Sequence, residues 1–296
     1  MRLRIGTRRS RLALAQAEEV AGLLRERGHE PEAVPMTTAG DRGASPAASP
    51  SGTKGLFVAE ITEAVVRGDV DLAVHSAKDL PSEDPPGVVV AAVPERGLPY
   101  DVLVSRDADV GHAAIVGTSS LRRRAQILRT LPGARVRDLR GNVDTRLRRL
   151  ADGRVDALVL AAAGLARLGL APEHARPLPV DDMVPAPGQG ALAVQARADD
   201  PAAEAAATLD HPASRAAFEA ERRLVGLLGG GCRLPLGAYA EVRDRAIRLL
   251  AVVVRPDGSD LLWSQVEGDR PDQVAGEAAE VLLSAGAGSI LRDLRE

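Results

Sequence analysis

Two stretches of this 296-residue chain repeat one handover from strand to helix. Residues 3–16 read as a short strand, then GTRRS, then an apolar-periodic helix; residues 114–126 pass through IVGTSS into LRRRAQ in the same way. A hydroxyl at that junction can cap the first unsatisfied N–H groups of a helix. A second pair follows in the same order. GDVDLAVHSAKD begins at Gly68 and GRVDALVLAAAG at Gly153, each a helix-ending glycine followed by a Val-Asp strand. Two echoes in one order predict two similar α/β lobes, each a small parallel or mixed sheet flanked by helices, with the strand at 157–161 fully buried. Residues 94–100 and 184–190 are the expected crossings, so a ligand would bind between hinged lobes.

After about Asp210 the pattern changes to a helix, a glycine loop, strands with a Pro256-Asp257-Gly258 turn inside a hairpin, and a last amphipathic helix from about Asp272. This is a third, α+β domain. The expected limits are 1–94 with 191–210, 99–184, and 213–296. Residues 40–55 offer little to bury and several breakers, so they are expected to form a mobile loop that acts as a lid. Aromatic residues make up only 2% of the chain, so the cores must be built from Ala, Leu and Val.

A net charge of −3 gives the whole molecule no pull toward nucleic acid, yet basic residues cluster locally. Arg122, Arg123 and Arg124 form a run, and Arg135, Arg137, Arg140, Arg146, Arg148 and Arg149 crowd the next stretch. That pattern predicts a local anion site. The N-terminus lacks a signal-peptide core and no stretch has the length of a membrane span, so a cytoplasmic protein without membrane partners is expected. One cysteine, Cys232, excludes an intramolecular disulfide and a multi-thiolate zinc site, and no metal is expected.

Both Gly-Thr turns offer backbone N–H groups at a helix start, where an anion is favoured. Ser10 and Ser120 account for simple caps; Arg8 in the first turn and Arg122 with Arg123 after the second do not belong to a cap and suit a ligand with several carboxylates. Arg140 precedes turn residues and Arg146 and Arg167 share its lobe. Alternation along AVHSAKDLP puts His75, Ala77 and Asp79 on one strand face and Ser76 and Lys78 on the other. Asp79 is either a general acid or base at a site edge or an ordinary residue before a proline turn. Cys232, in GGGCRLP, is either a small apolar residue or an accessible thiol whose thiolate Arg233 favours. SGTKG reverses the order a phosphate-binding loop needs, and HSAKD lacks the glycines of a hydrolase elbow. Two further readings are an exported solute-binding module and an amidohydrolase using Ser76 and Lys78.

Together RIGTRRSRLALAQ, KGLFVAEI, VHSAKDLP, VGTSSLRRRAQ, LRGNVDTRL, AAAGLARLGL, PAPGQGALAVQAR and GGGCRLPLGAYA resemble, in order, the porphobilinogen deaminase (hydroxymethylbilane synthase) family. The resemblance implies two lobes like those of type II periplasmic binding proteins plus a third domain. It implies a monomeric transferase that condenses four molecules of the small-molecule substrate porphobilinogen into hydroxymethylbilane, releasing ammonia, in haem biosynthesis. By the same resemblance a dipyrromethane cofactor is joined to Cys232 by a thioether. Asp79 matches the catalytic aspartate. Ser10, Lys78, Asp79, Ser120, Arg122, Arg123, Arg140 and Arg146 match cofactor-binding positions. Arg8, Gln16, Arg140, Arg146 and Arg167 match substrate positions, and Lys54 and Phe57 match the lid. The sequence departs from the family in that lid, where Pro, Ala and Ser replace a charged stretch and Lys54 alone remains.

Overall fold

The computed structural model describes residues 1–37, 52–229 and 234–293, with side chains from Val58 onward in the helix that begins at Gly52. In the first lobe β1 (Arg2–Arg8) leads into α1 (Arg11–Glu26) and β2 (Glu30–Met36); α2 (Gly52–Arg67) then leads into β3 (Leu72–Ser76), a single 3-10 turn (Ala77–Asp79) and β4 (Val88–Ala92). The second lobe holds β5 (Asp101–Ser105), β6 (Ile115–Gly117), α3 (Leu121–Thr130), β7 (Arg135–Arg137), α4 (Val143–Ala151), β8 (Ala157–Ala161), α5 (Ala162–Arg167) and β9 (Ala175–Leu178). The chain returns through β10 (Leu192–Arg197) and α6 (Pro201–Ala207).

The two sheets have one topology. The first is ordered β2-β1-β3-β10-β4 and the second β7-β6-β8-β5-β9. In each, four strands run the same way, and the fourth in order, antiparallel to both its neighbours, is the strand delivered by a crossover from the other lobe. Each lobe therefore borrows a strand at its crossover, which ties the pair topologically. Pro31 and Pro35 fall in β2, an edge strand, where a missing N–H is tolerated. Gly6 ends the pairing of β1 with β3 and Gly117 that of β6 with β8, and the two do the same work. A Cβ on Gly6 would come within 3.0 Å of Ile61 and Val70, and one on Gly117 within 2.9 Å of Leu158, so only glycine lets the flanking side chains close over these strands.

The crossovers lie side by side, Gly97 N–H donating to the Gly190 carbonyl at 3.3 Å. Gly190 has a φ of +89°, and a Cβ there would meet the Gly97 carbonyl oxygen at 2.6 Å. The third domain packs α7 (Pro212–Leu227), α8 (Pro271–Ser284) and α9 (Ala287–Arg292) on the antiparallel sheet β11 (Leu236–Arg243), β12 (Ala246–Val254) and β13 (Leu261–Gly268). Its core is Ala, Leu, Val and Ile throughout. The opposite face of the sheet, Leu250, Val252 and Val254, seals onto Ala125 and Val184 of the second lobe.

Two expectations change. β3 stops at Ser76, so strand alternation does not govern residues 77–79; the 3-10 turn does, and Asp79 is set by that turn. Residues 52–55, expected within the loop, already belong to α2. Residues 38–51 of the expected lid lie outside the described residues. The β11–β12 hairpin, which no glycine announces, turns on Asp244 and Arg245 at φ +48° and +71°.

Candidate active site

Both helix starts are capped as the sequence requires. Ser10 Oγ accepts from Ala13 N–H at 3.2 Å and Ser120 Oγ from Arg123 N–H at 3.3 Å. The second turn is one residue shorter, and its threonine is used differently. Thr7 Oγ1 donates to the Ala13 carbonyl, whereas Thr118 Oγ1 accepts from Ser120 N–H.

The first lobe supplies the acid. Asp79 and Lys78 are half-buried on the 3-10 turn that closes β3. Gly188 of the return crossover, at φ +74°, lies so close that a Cβ would stand 2.7 Å from Lys78 N, so the crossover backbone fixes this turn from above. Buried Gln16 donates from Nε2 to Ser76 Oγ at 2.7 Å, joining α1 to the strand end. Arg8 is half-buried at the last position of β1. Burial pushes the imidazole of His75 down to about 4 against the pull of Asp79 and the charge of Asp84, so it is neutral beneath the turn.

The second lobe supplies cations. Arg122 and Arg123 are buried at the start of α3 and share one buried carboxylate, Asp101, at 2.8 and 2.7 Å. Arg122 also donates to the Val184 carbonyl at 2.7 Å and Arg123 to the Val159 carbonyl at 3.1 Å. The Nε atoms of both remain buried without a hydrogen-bond partner. Arg146 Nε donates to the Gly141 carbonyl at 2.7 Å; burial and the nearby Arg123 push its guanidinium down to about 10, still cationic at neutral pH. Arg140 is exposed and pairs with Asp138 at 3.3 Å, while Arg149 donates to the Arg140 carbonyl at 2.9 Å.

The lobes meet along α1. Arg167 on α5 forks onto Glu19 at 2.7 and 3.2 Å and also donates to the Gly190 carbonyl at 3.1 Å; Arg11 pairs with Asp144 at 2.7 Å. A Cβ on Gly164 would touch Leu12 at 3.7 Å. α1 of the first lobe thus lies against α4 and α5 of the second, held by Arg11 on Asp144 and by Arg167 on Glu19. Carboxyl ends of strands are where open α/β sheets bind ligands. Cys232 lies outside the described residues, as do the side chains of Lys54 and Phe57. Among the described residues no His, Cys, Asp and Glu cluster could hold a metal, and no helix is long and apolar enough to cross a membrane.

The model of the porphobilinogen deaminase dipyromethane cofactor binding domain matches residues 3–205, and that of the porphobilinogen deaminase C-terminal domain matches residues 216–284. The chain belongs to the porphobilinogen deaminase family. The deaminase of Desulforudis audaxviator is 47% identical over 300 residues, covering 98% of this chain and 97% of its own. That of Thermus thermophilus is 44% identical over 301 residues, covering 98% of each. Among solved structures, the substrate binding protein of a methionine transporter from Streptococcus pneumoniae is 13% identical with a TM-score of 0.43, covering 71% of this chain and 88% of its own. As a porphobilinogen deaminase the protein is a transferase of tetrapyrrole biosynthesis with a dipyrromethane cofactor.

Sequence reasoning missed the residues that hold the two crossovers together. Burial alone would raise the pKa of Asp101, but Arg122 and Arg123 outweigh it and hold the carboxyl well below the usual carboxylate range. Gln189 Nε2 adds a third donor to Asp101, at 2.9 Å. Glu221 on α7 is fully buried and accepts from Arg96, Gly188 N–H and Ala240 N–H, so both crossovers and the third domain converge on one carboxylate. A faint signal existed for each: Asp101 heads the otherwise apolar strand DVLVS, and Glu221 sits where α7 should face inward.

Proposed function

We propose that this hydroxymethylbilane synthase divides its work between the two lobes, the carboxylate of Asp79 acting on the reacting pyrrole while the arginines hold the carboxylates of substrate and cofactor. The enzyme joins four porphobilinogen molecules head to tail, with loss of ammonia, into hydroxymethylbilane. Loss of ammonia leaves positive charge on the substrate pyrrole. A fixed anion beside its N–H lowers the barrier without reorganising solvent, and Asp79 on its pinned turn suits that task. Lys78 and Ser10 on the same side would orient carboxylates.

The donor set fits a dipyrromethane, which carries acetate and propionate groups. Each lobe offers a capped helix start, and Arg122 and Arg123 each keep a buried donor unmet by protein. Arg123, Arg146, Arg140 and Ser120 would hold those carboxylates. The terminal nitrogens of Arg122 are spent on Asp101 and Val184 and those of Arg123 on Asp101 and Val159, so each would act through Nε or by steadying the other around Asp101. When bound, the cofactor supplies the pyrrole carbon onto which substrate units are joined, and Cys232 would anchor it. Arg8, Gln16 and Arg167 would receive the substrate, with Lys54 and Phe57 at the lid. The domain limits proposed above, a monomeric state and a cytoplasmic site belong to the same reading.

The opposition of one acid-bearing lobe to one guanidinium-bearing lobe across α1 carries the reading. The intact mass of the purified protein beside its Cys232→Ala variant tests it. An excess mass of two linked pyrrole units, absent from the variant, is expected; an unmodified mass that porphobilinogen cannot raise would remove Cys232 from this role.

A further inference from the structure

The turn that bears Asp79 is also gripped from the third domain. Arg222, on α7, donates from Nε to the Pro81 carbonyl at 2.9 Å and from both terminal nitrogens to the two oxygens of Asp84, each at 2.9 Å. Its guanidinium lies 5.5 Å from the centre of the Phe218 ring, and Phe218 packs in one cluster with Ala77 and Leu80 of the same turn. Each guanidinium nitrogen is thereby engaged, and the pair is mostly shielded, with side-chain exposures of 16% and 21%. An arginine so committed is shaped to hold protein rather than ligand.

The grip continues beneath the strand. Asp84 Oδ1 accepts from Gln195 Nε2 at 2.9 Å, and Gln195 Oε1 accepts from Thr62 Oγ1 at 2.9 Å. Residues 77–84 are therefore fixed at one end by Ala77 N–H on the Ala191 carbonyl and at the other by Arg222. Cys232 follows Arg222 by ten positions, just beyond the end of α7.

We infer that Arg222, paired with Asp84, is a positioning residue that sets the Asp79 turn from the domain carrying Cys232; this rests on Asp79 being the catalytic acid. A carboxylate displaced by about 1 Å can lose on the order of 100-fold in rate. Steady-state kinetics on holoenzymes verified by intact mass, well below their melting temperatures, test the inference. Arg222→Met and Asp84→Asn should each lower kcat by about 100-fold with KM within about twofold, and the double variant should be no worse than either, because one fork is lost in all three. Arg222→Lys should recover only part of kcat, since an ammonium cannot form the fork. Asp84→Asn preserves shape and keeps the test open if Arg222→Met does not fold. An unchanged kcat in folded Asp84→Asn, or a raised KM at unchanged kcat, overturns the inference if Asp79→Asn is inactive. If Asp79→Asn itself keeps normal kcat, the role of Asp79 falls instead and takes this inference with it.

Discussion

The two lobes share a sheet order but differ in charge at corresponding places. After the cap, the first lobe continues Arg11, Leu12 and Ala13, whereas the second continues Leu121, Arg122 and Arg123, with the last two buried. Where β3 ends in a turn bearing Asp79, β8 ends in Ala162, Ala163 and Gly164, which carry no charge. The antiparallel strand of each sheet contains a fully buried polar hub: neutral Gln195 in β10, anionic Asp101 in β5. Buried charge must be balanced locally, so a lobe presenting cations needs an anion beneath them, whereas a lobe presenting one acid is better served by a neutral amide.

That contrast can be broken most forcefully at Asp101. Asp101→Asn leaves two buried guanidinium groups without their counterion, and urea denaturation should show a loss of about 3–5 kcal/mol. A loss under about 1 kcal/mol would mean that the second lobe balances its arginines elsewhere.

Acid should affect the lobes in sequence. His75 titrates near 4 when folded and near 6.5 when unfolded, so the unfolded chain binds more protons between those values and stability must fall as pH drops through that window, by about 3 kcal/mol in all. Asp101 has a depressed folded pKa, so its contribution holds down to the ordinary carboxylate range and fades only below it. Melting temperatures followed from pH 7 to 4 should therefore slope downward in the parent and lie nearly flat for His75→Gln. Equal slopes would assign the acid response to other groups.

The smallest effect is expected at the contact between lobes. Arg167 is held by Glu19, which a substrate carboxylate would have to displace, so Glu19→Gln should lower the KM for porphobilinogen by about threefold, the scale of a part-exposed ion pair. A higher KM would show that the pair closes the cleft productively rather than competing with substrate.

Much of this was legible in one dimension. Turn residues and helix caps act within a few positions, so Gly6, Ser10, Gly117 and Ser120 disclosed both strand-to-helix junctions, and their repetition disclosed the lobes. The motif series disclosed the family, and with it Asp79 and Cys232 as residues to test. What the sequence could not disclose is pairing across long separations. Arg122 and Arg123 read as ligands for a bound anion because their counterion, Asp101, lies some twenty residues upstream on a strand that meets α3 only once the sheet has formed. Arg167 likewise looked available until Glu19, 148 positions away, came to face it. Local chemistry follows the order of the chain and can be read there; which charge neutralises which depends on burial and distance, and those exist only in the folded molecule.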